Sequence, residues 1–365
     1  MRLVTRSLGT PLLRQIAQVL EISLYALVDD EQAERASYCA DAAEIAAITS
    51  ALTSYDVIAG TGSADVSRPV DMAAVQQSLE FGWQTWQAAN YKSVCLMLPI
   101  LLRDVHAAAA SNFTEASQLV TLAYRLAAAA AHKLGAAQLA WIAADRGINI
   151  AERTGNDALV ASTGRTLVHA YMAIGQNTAA LNLSVQIANR IAPTSIDHPP
   201  ALPSAYGMLL LKGSIAAARA GQPDMVRTLQ GEATEVAERI GEGNHLWSAF
   251  GPTNVAIHRV SAQADMRAAG TVIEAARCID PAGLAMLPRE RRAHHLLDQA
   301  RGYAQWGKKD QALSALLTAE SLAAEEIRCR PSTRKLITHI VRSYGRGFKP
   351  PASLTRLAGS IGVQT

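Results

Sequence analysis

The sequence predicts an all-α chain built as a solenoid of helical hairpins. Three observations carry that expectation. Apolar residues recur three and four apart, and no segment sustains the apolar–polar alternation of a half-buried strand. The chain is 49% hydrophobic yet only 5% aromatic, and it is rich in alanine, a composition suited to close packing of helix on helix. Glycines then punctuate the second half at Gly135, Gly175, Gly221, Gly270 and Gly307, with gaps of 40, 46, 49 and 37 residues. A period near 40 with two helices per unit is the mark of a helical-hairpin repeat.

The elements follow in order. "PLLRQIAQVLEISLYALVDD" (11–30) sets Leu12, Leu13, Ile16, Leu20, Leu24 and Leu27 on one helical stripe. Thr10 before Pro11 supplies an N-cap and a proline at the first helical position. Residues 31–71 read as a helical connector and linker; "IAGTGSADVSRPVD" (58–71) is rich in Gly, Ser and Pro and has no period. Its Gly60-Thr61-Gly62-Ser63 follows no clear strand and lacks the lysine of a phosphate loop, so it is not read as a nucleotide site. Residues 72–345 read as the repeat domain. Within "FGWQTWQAANY" (81–91), Phe81, Trp86 and Tyr91, with Trp83 on another face, are expected to cap the core or to form a dimer contact. The clearest repeat is "LLDQARGYAQWGKKDQALSALLTAESLA" (296–323), which turns at Gly307; "AYMAIGQNTAALNLSVQIA" (170–188) repeats the design around Gly175. Its Gly-x-x-x-Ala step resembles the tetratricopeptide repeat. The proline-rich stretches 191–204 and 279–290 read as loops between repeats.

Charge and cysteine usage narrow the function. The net charge is +3, but residues 328–365 hold eight basic side chains and no acidic one. This basic stretch is expected as a solvated helix face, with contact to nucleic acid as the other reading; residues 346–365 are read as the basic C-terminal tail. The four cysteines are widely spaced and match no metal or redox motif, which fits reduced thiols in a cytoplasmic protein. No run of about 18 apolar, uncharged residues suggests a membrane span. The nine histidines form no HExxH pattern, and His294–His295 are neighbours that point in different directions on a helix. No Gly-x-Ser-x-Gly elbow occurs. Neither an enzyme, a metal site nor a cofactor is expected.

Several stretches together resemble one family. "TPLLRQIAQVLEISLYALVD" (10–29), "TWQAANYKSVCLMLPILLRDVHAA" (85–108), "FGPTNVAIHRVSAQ" (250–263), and "LPRERRAHHLLDQARGYAQWGKKDQALSALLTAESLAAEEIRCRP" (287–331) with "LTRLAGSIGV" (354–363) carry the resemblance. They are similar to actinobacterial helix-turn-helix transcriptional regulators of the Cro/C1 type with a tetratricopeptide-like C-terminal half. The resemblance implies a right-handed superhelix of tetratricopeptide-like hairpins and, over residues 1–30, a residual helix-turn-helix DNA-binding fragment. In the family the recognition helix precedes the stretch at which this chain begins. The chain is therefore expected to be N-terminally truncated, with Arg2, Arg6 and Arg14 left as phosphate contacts and no sequence-specific operator binding.

The expected function is the sensor and oligomerisation half of a regulator, with a peptide or small effector in the repeat groove; a homodimer is one expected assembly. The alternative is a protein-interaction scaffold without effector or DNA. Groove candidates are polar and aromatic residues on the first helix of each pair. Asn254 and His258 are four apart and share a face; Trp247 precedes them, and Tyr206, His169, Asp298 and Arg301 hold comparable positions. Asn254 is expected to clamp a ligand from an exposed face, and His258, if little perturbed, titrates near neutral pH. The other reading gives Asn254 and His258 a structural task, holding adjacent repeats in angle.

Overall fold

A computed structural model describes residues 42–53, 71–192, 199–345 and 349–363. Those residues form seventeen α-helices and one 3-10 turn, with no strand among them. The expected fragment over 1–30, its Arg2, Arg6 and Arg14, and almost all of the linker lie outside the described residues.

Helix α1 spans Ala42–Thr53. The paired array then begins with α2 (Met72–Gln87) and α3 (Tyr91–Ser111), followed by α4 (Phe113–Lys133) with α5 (Ala137–Arg153) and α6 (Asp157–Ala173) with α7 (Asn177–Ile191). Next come α8 (Ala201–Arg219) with α9 (Pro223–Ile240), and α10 (Pro252–Asp265) with α11 (Ala269–Arg277). After the single-turn α12 (Pro281–Met286) follow α13 (Arg289–Gln305) and α14 (Lys309–Leu322), the short α15 (Ala324–Arg328), α16 (Pro331–Ser343) and α17 (Ala352–Ser360).

Local chemistry sets many of these boundaries. The side chain of Asp71 accepts from the backbone N–H of Ala73 and Ala74 at the start of α2, and Asn156 does the same for α6. Gly135, Gly175, Gly221 and Gly307 turn the chain with φ between 72° and 81°, where a side chain is strained. Gly270 is not a turn. It lies inside α11, and Arg267 makes that turn at φ 59°. Gly155 (φ 64°) turns the chain between α5 and α6, a break the period of about 40 passes over.

The two helices of each pair pack on each other, and the first helix of each pair also packs on the first helix of the next; α1 packs on α3. The chain of inner contacts runs α2–α4–α6–α8–α10–α13–α16. The row also closes on itself, because α2 touches α13. Polar contacts tie the same seam. Tyr91 at the start of α3 donates to Glu326 (2.5 Å), and the Lys133 ammonium at the end of α4 meets Glu290 at 2.6 Å and Glu326 at 2.7 Å.

The stretch expected as a basic tail includes α17, whose Leu354, Leu357 and Ala358 are buried in one cluster with Ile337 and Ile340 of α16. Of the eight basic groups over 328–365 expected as a solvated face, Arg330 is ion-paired to Glu326 and Arg328 to Glu320 (2.9 Å). Helix α3 is long and apolar enough to cross a membrane by length and composition. Its Leu98, Leu101, Leu102 and Val105 are buried against neighbouring helices.

Candidate functional site: a cationic cavity inside the ring of inner helices

The inner helices enclose a cavity of about 880 Å³. Behind Trp83, which lines the cavity, packs the segment between α9 and α10, a floor under the ring that does not itself line the cavity. Leu246, Trp247 and Ala249 all adopt left-handed backbone there (φ 48–51°), and strain of that kind persists only where surrounding contacts impose it. Trp247 stacks on Trp83 of α2 (centroids 5.6 Å, planes 12° apart), and the Arg125 guanidinium lies 4.2 Å from the centre of the Trp83 ring. Arg125 also donates to Ser162 of α6 and to the Leu246 carbonyl. The Asn244 and Gln87 side-chain amides exchange hydrogen bonds (3.0 and 3.1 Å).

The stretch "FGPTN" anchors this floor. Phe250 is fully buried against Gly207, where an added Cβ would sit 2.1 Å from the ring. Gly251 is extended (φ 167°), so its glycine is required by space: a Cβ would fall 2.7 Å from the Cα of Glu242. The Glu242 carboxylate then accepts from the Thr253 N–H at 2.8 Å, capping α10. Asn254 is fully buried and does not line the cavity. Its amide N–H groups donate to the Ala249 carbonyl (2.7 Å) and the Ser248 carbonyl (3.3 Å). This corrects the expectation of an exposed ligand clamp: the amide N–H groups are committed to holding the floor, and the buried Oδ1 has no partner among the described residues. Trp247 is likewise committed to Trp83, and the Tyr206 hydroxyl to Glu232 of α9; neither lines the cavity.

One helical turn towards the opening the wall changes character. Arg165 (α6), Lys212 (α8), His258 (α10) and Arg291 (α13) stand on successive inner helices. Arg165 and Lys212 make no hydrogen bond or ion pair with any described residue, and Arg291 approaches one carboxylate, Glu290, at 3.7 Å. Burial, reinforced by Arg291, pulls the Arg165 guanidinium down to about 10; burial, Arg291 and Arg165 hold Lys212 well below its usual value. Burial, with Arg291 and Lys212, also drives His258 well below the ordinary imidazole range, although its Nδ1 contacts the Asn254 carbonyl at 2.9 Å. His258 is thus strongly perturbed, and the condition under which it would titrate near neutral pH is not met.

Higher in the wall the charges are matched. Asp265 pairs with Arg219 (2.8 Å) and with Arg301, and Asp298 pairs with Arg301 (2.8 Å). Burial raises both carboxyls, and their cationic neighbours bring them below the usual carboxylate range. His132 and His169 pack ring on ring, 3.6 Å between centroids, and burial keeps both well below the usual imidazole value. Arg267, Lys335 and His339 line the cavity and are solvent-exposed, which places its mouth at this end. Of the residues singled out in the sequence, His169, His258, Asp298 and Arg301 therefore share the cavity. Sequence reading missed Arg165, Lys212 and Arg291. The available signal was register: Arg165 lies one turn after Ser162, Lys212 after Met208 and His258 after Asn254, at equivalent heights in successive first helices.

Among the described residues no group of three or more His, Cys, Asp or Glu is arranged to hold a metal ion. Compared with known proteins, the chain matches no family, no curated protein and no solved structure.

Proposed function

We propose that this chain is the ligand-sensing half of a transcriptional regulator, a right-handed tetratricopeptide-like superhelix wound until its first and later inner helices meet. A small effector sits at its centre. The observation that carries this reading is the cavity of about 880 Å³, lined by inner helices from six successive pairs. Its volume lies within the range of small-molecule sites, about 300–1,000 Å³. An extended peptide needs a groove open along its length, and the α2–α13 contact closes this one. A small ligand is therefore favoured over a peptide, and over a scaffold that uses the concave face for a protein.

A ligand touching six pairs at once has differential contacts with any two arrangements of those pairs. It thereby acquires the means to shift the seam and, through it, the N-terminal side of the chain. No catalytic step belongs to this reading. Native mass spectrometry of the full chain, incubated with a low-molecular-weight cell extract, tests it. The expected result is a one-to-one adduct of small-molecule mass. Adducts of peptides or whole proteins only, or none at all on folded protein, overturn the reading.

A further inference from the structure

Resting on the reading of this cavity as an effector site, we infer that its ligand is a small organic phosphate bearing at least two negative charges, held by Arg165, Lys212 and Arg291. The wall carries nine Lys and Arg side chains against three carboxylates. Around the upper wall and seam the protein supplies its own partners: Arg219, Arg301, Lys133 and Arg330 each meet an Asp or Glu. In the middle layer one carboxylate, Glu290, already engaged by Lys133, approaches Arg291 at 3.7 Å, and Arg165 and Lys212 have no ion-pair partner among the described residues. Three half-buried cations arriving from three helices repel one another, an arrangement that costs stability unless an anion completes it. Two buried nitrogens on residues that line the cavity, His132 Nδ1 and Arg291 Nε, have no hydrogen-bond partner among the described residues.

The number and kind of groups select the anion. A carboxylate carries one charge and two oxygens, and one or two guanidinium groups satisfy it, as Asp265 does with Arg219 and Arg301. A phosphate dianion carries about two charges and three acceptor oxygens. It matches two guanidinium forks and one ammonium point charge converging from different sides, with His258 as a neutral neighbour. The remaining wall, formed by Trp86, the His132–His169 pair, Ile215 and Met172, is apolar or aromatic and suits an organic body on that phosphate. The exposed Arg267 and Lys335 at the mouth add attraction for an approaching anion.

Isothermal titration calorimetry and thermal unfolding of the full chain test this with pyrophosphate, GTP, glucose 6-phosphate, citrate and uncharged cellobiose as probes. At least one phosphate probe is expected to bind one-to-one and raise the melting temperature, with citrate and cellobiose much weaker. Which phosphate binds distinguishes a nucleotide, a sugar phosphate and the bare anion. Arg165→Met and Lys212→Met are each expected to weaken that binding by about tenfold or more, the scale of one charge-assisted hydrogen bond. Both should raise the melting temperature of the ligand-free protein, which a cation serving only structure would not do. Lys212→Arg, which keeps the charge, should bind within a few-fold of wild type. Equal binding of citrate, unchanged phosphate binding in both Met variants, or no phosphate binding overturns the inference. If none of the phosphates binds while the cell extract yields a different small-molecule adduct, the sensor reading survives and the phosphate assignment falls. If neither gives an adduct, both fall.

Discussion

Lys133 is the pivot on which the inner ring closes, and replacing it with methionine has a calculable consequence. Its ammonium is 5% exposed and lies within 2.7 Å of carboxylates at 5% and 0% exposure. It also rests over the rings of Trp86 and Tyr91, at 5.3 and 5.2 Å. Burial alone would raise Glu290 and Glu326; Lys133, with Arg291 for the former and Arg330 for the latter, brings both down to about 2 from 4.5. At about 1.36 kcal/mol per pKa unit, either carboxylate alone is worth roughly 3 kcal/mol, and the two share one lysine, so their contributions do not add. Lys133→Met leaves both acids buried with one cation fewer, for which a loss of roughly 3–5 kcal/mol at pH 7 is expected. The folded pKa values lie below the unfolded ones. The wild-type contribution is thus fully present above about pH 4.5 and is lost as pH falls towards about 2. Urea denaturation followed by circular dichroism at pH 7, 5 and 3 reads this directly. The gap between wild type and variant should be widest at pH 7 and should narrow sharply by pH 3. A cost below about 1 kcal/mol at pH 7, or one that does not change between pH 7 and pH 3, would refute the seam as described.

Other substitutions probe the floor and the turns. Gly207→Ala drives a methyl into Phe250 and should cost roughly 1–3 kcal/mol by overpacking, whereas Phe250→Ala should cost roughly 3–5 kcal/mol by leaving a cavity; urea midpoints separate them from wild type. Asn254→Ala strands the Ser248 and Ala249 carbonyls and should cost about 1–3 kcal/mol. Its effect on ligand affinity should be small beside that of Lys212→Met, and a larger one would return Asn254 to the binding surface. Gly135→Ala should destabilise more than the same change at Gly175. Both sit at positive φ, but only at Gly135 does the new Cβ meet another side chain, Pro331, at 2.7 Å. Thermal unfolding of the pair decides it.

Much of the fold is legible in the order of the amino acids, for reasons that lie in particular residues. The three-to-four spacing of "LLDQARGYAQW" and "KKDQALSALLTAESLA" gives α13 and α14, and four of five chosen glycines do turn the chain at positive φ. Gly270 misled because a glycine tolerated inside a helix looks like one required at a turn. The left-handed Arg267 beside it has no compositional mark. The site was half legible. His258, His169, Asp298 and Arg301 lie on the inner faces of first helices, where a solenoid exposes its concave side. Asn254 lies on the same stripe as His258 but one turn lower, where the 241–251 loop crosses the ring. Periodicity gives a residue's face, and only the loop's path gives its depth. Closure of α2 onto α13 was not legible, because its lysine and glutamates look like ordinary surface charge until a contact 157 residues long buries them.

The central claim is that an anion belongs between Arg165, Lys212 and Arg291. Its most direct test is a crystal of the full chain soaked in tungstate, a dianion of phosphate-like shape whose metal atom scatters strongly. Anomalous difference density is predicted within hydrogen-bonding reach of all three side chains, inside the cavity. Peaks confined to the outer surface, with the three cations making no contact to tungstate, would contradict it.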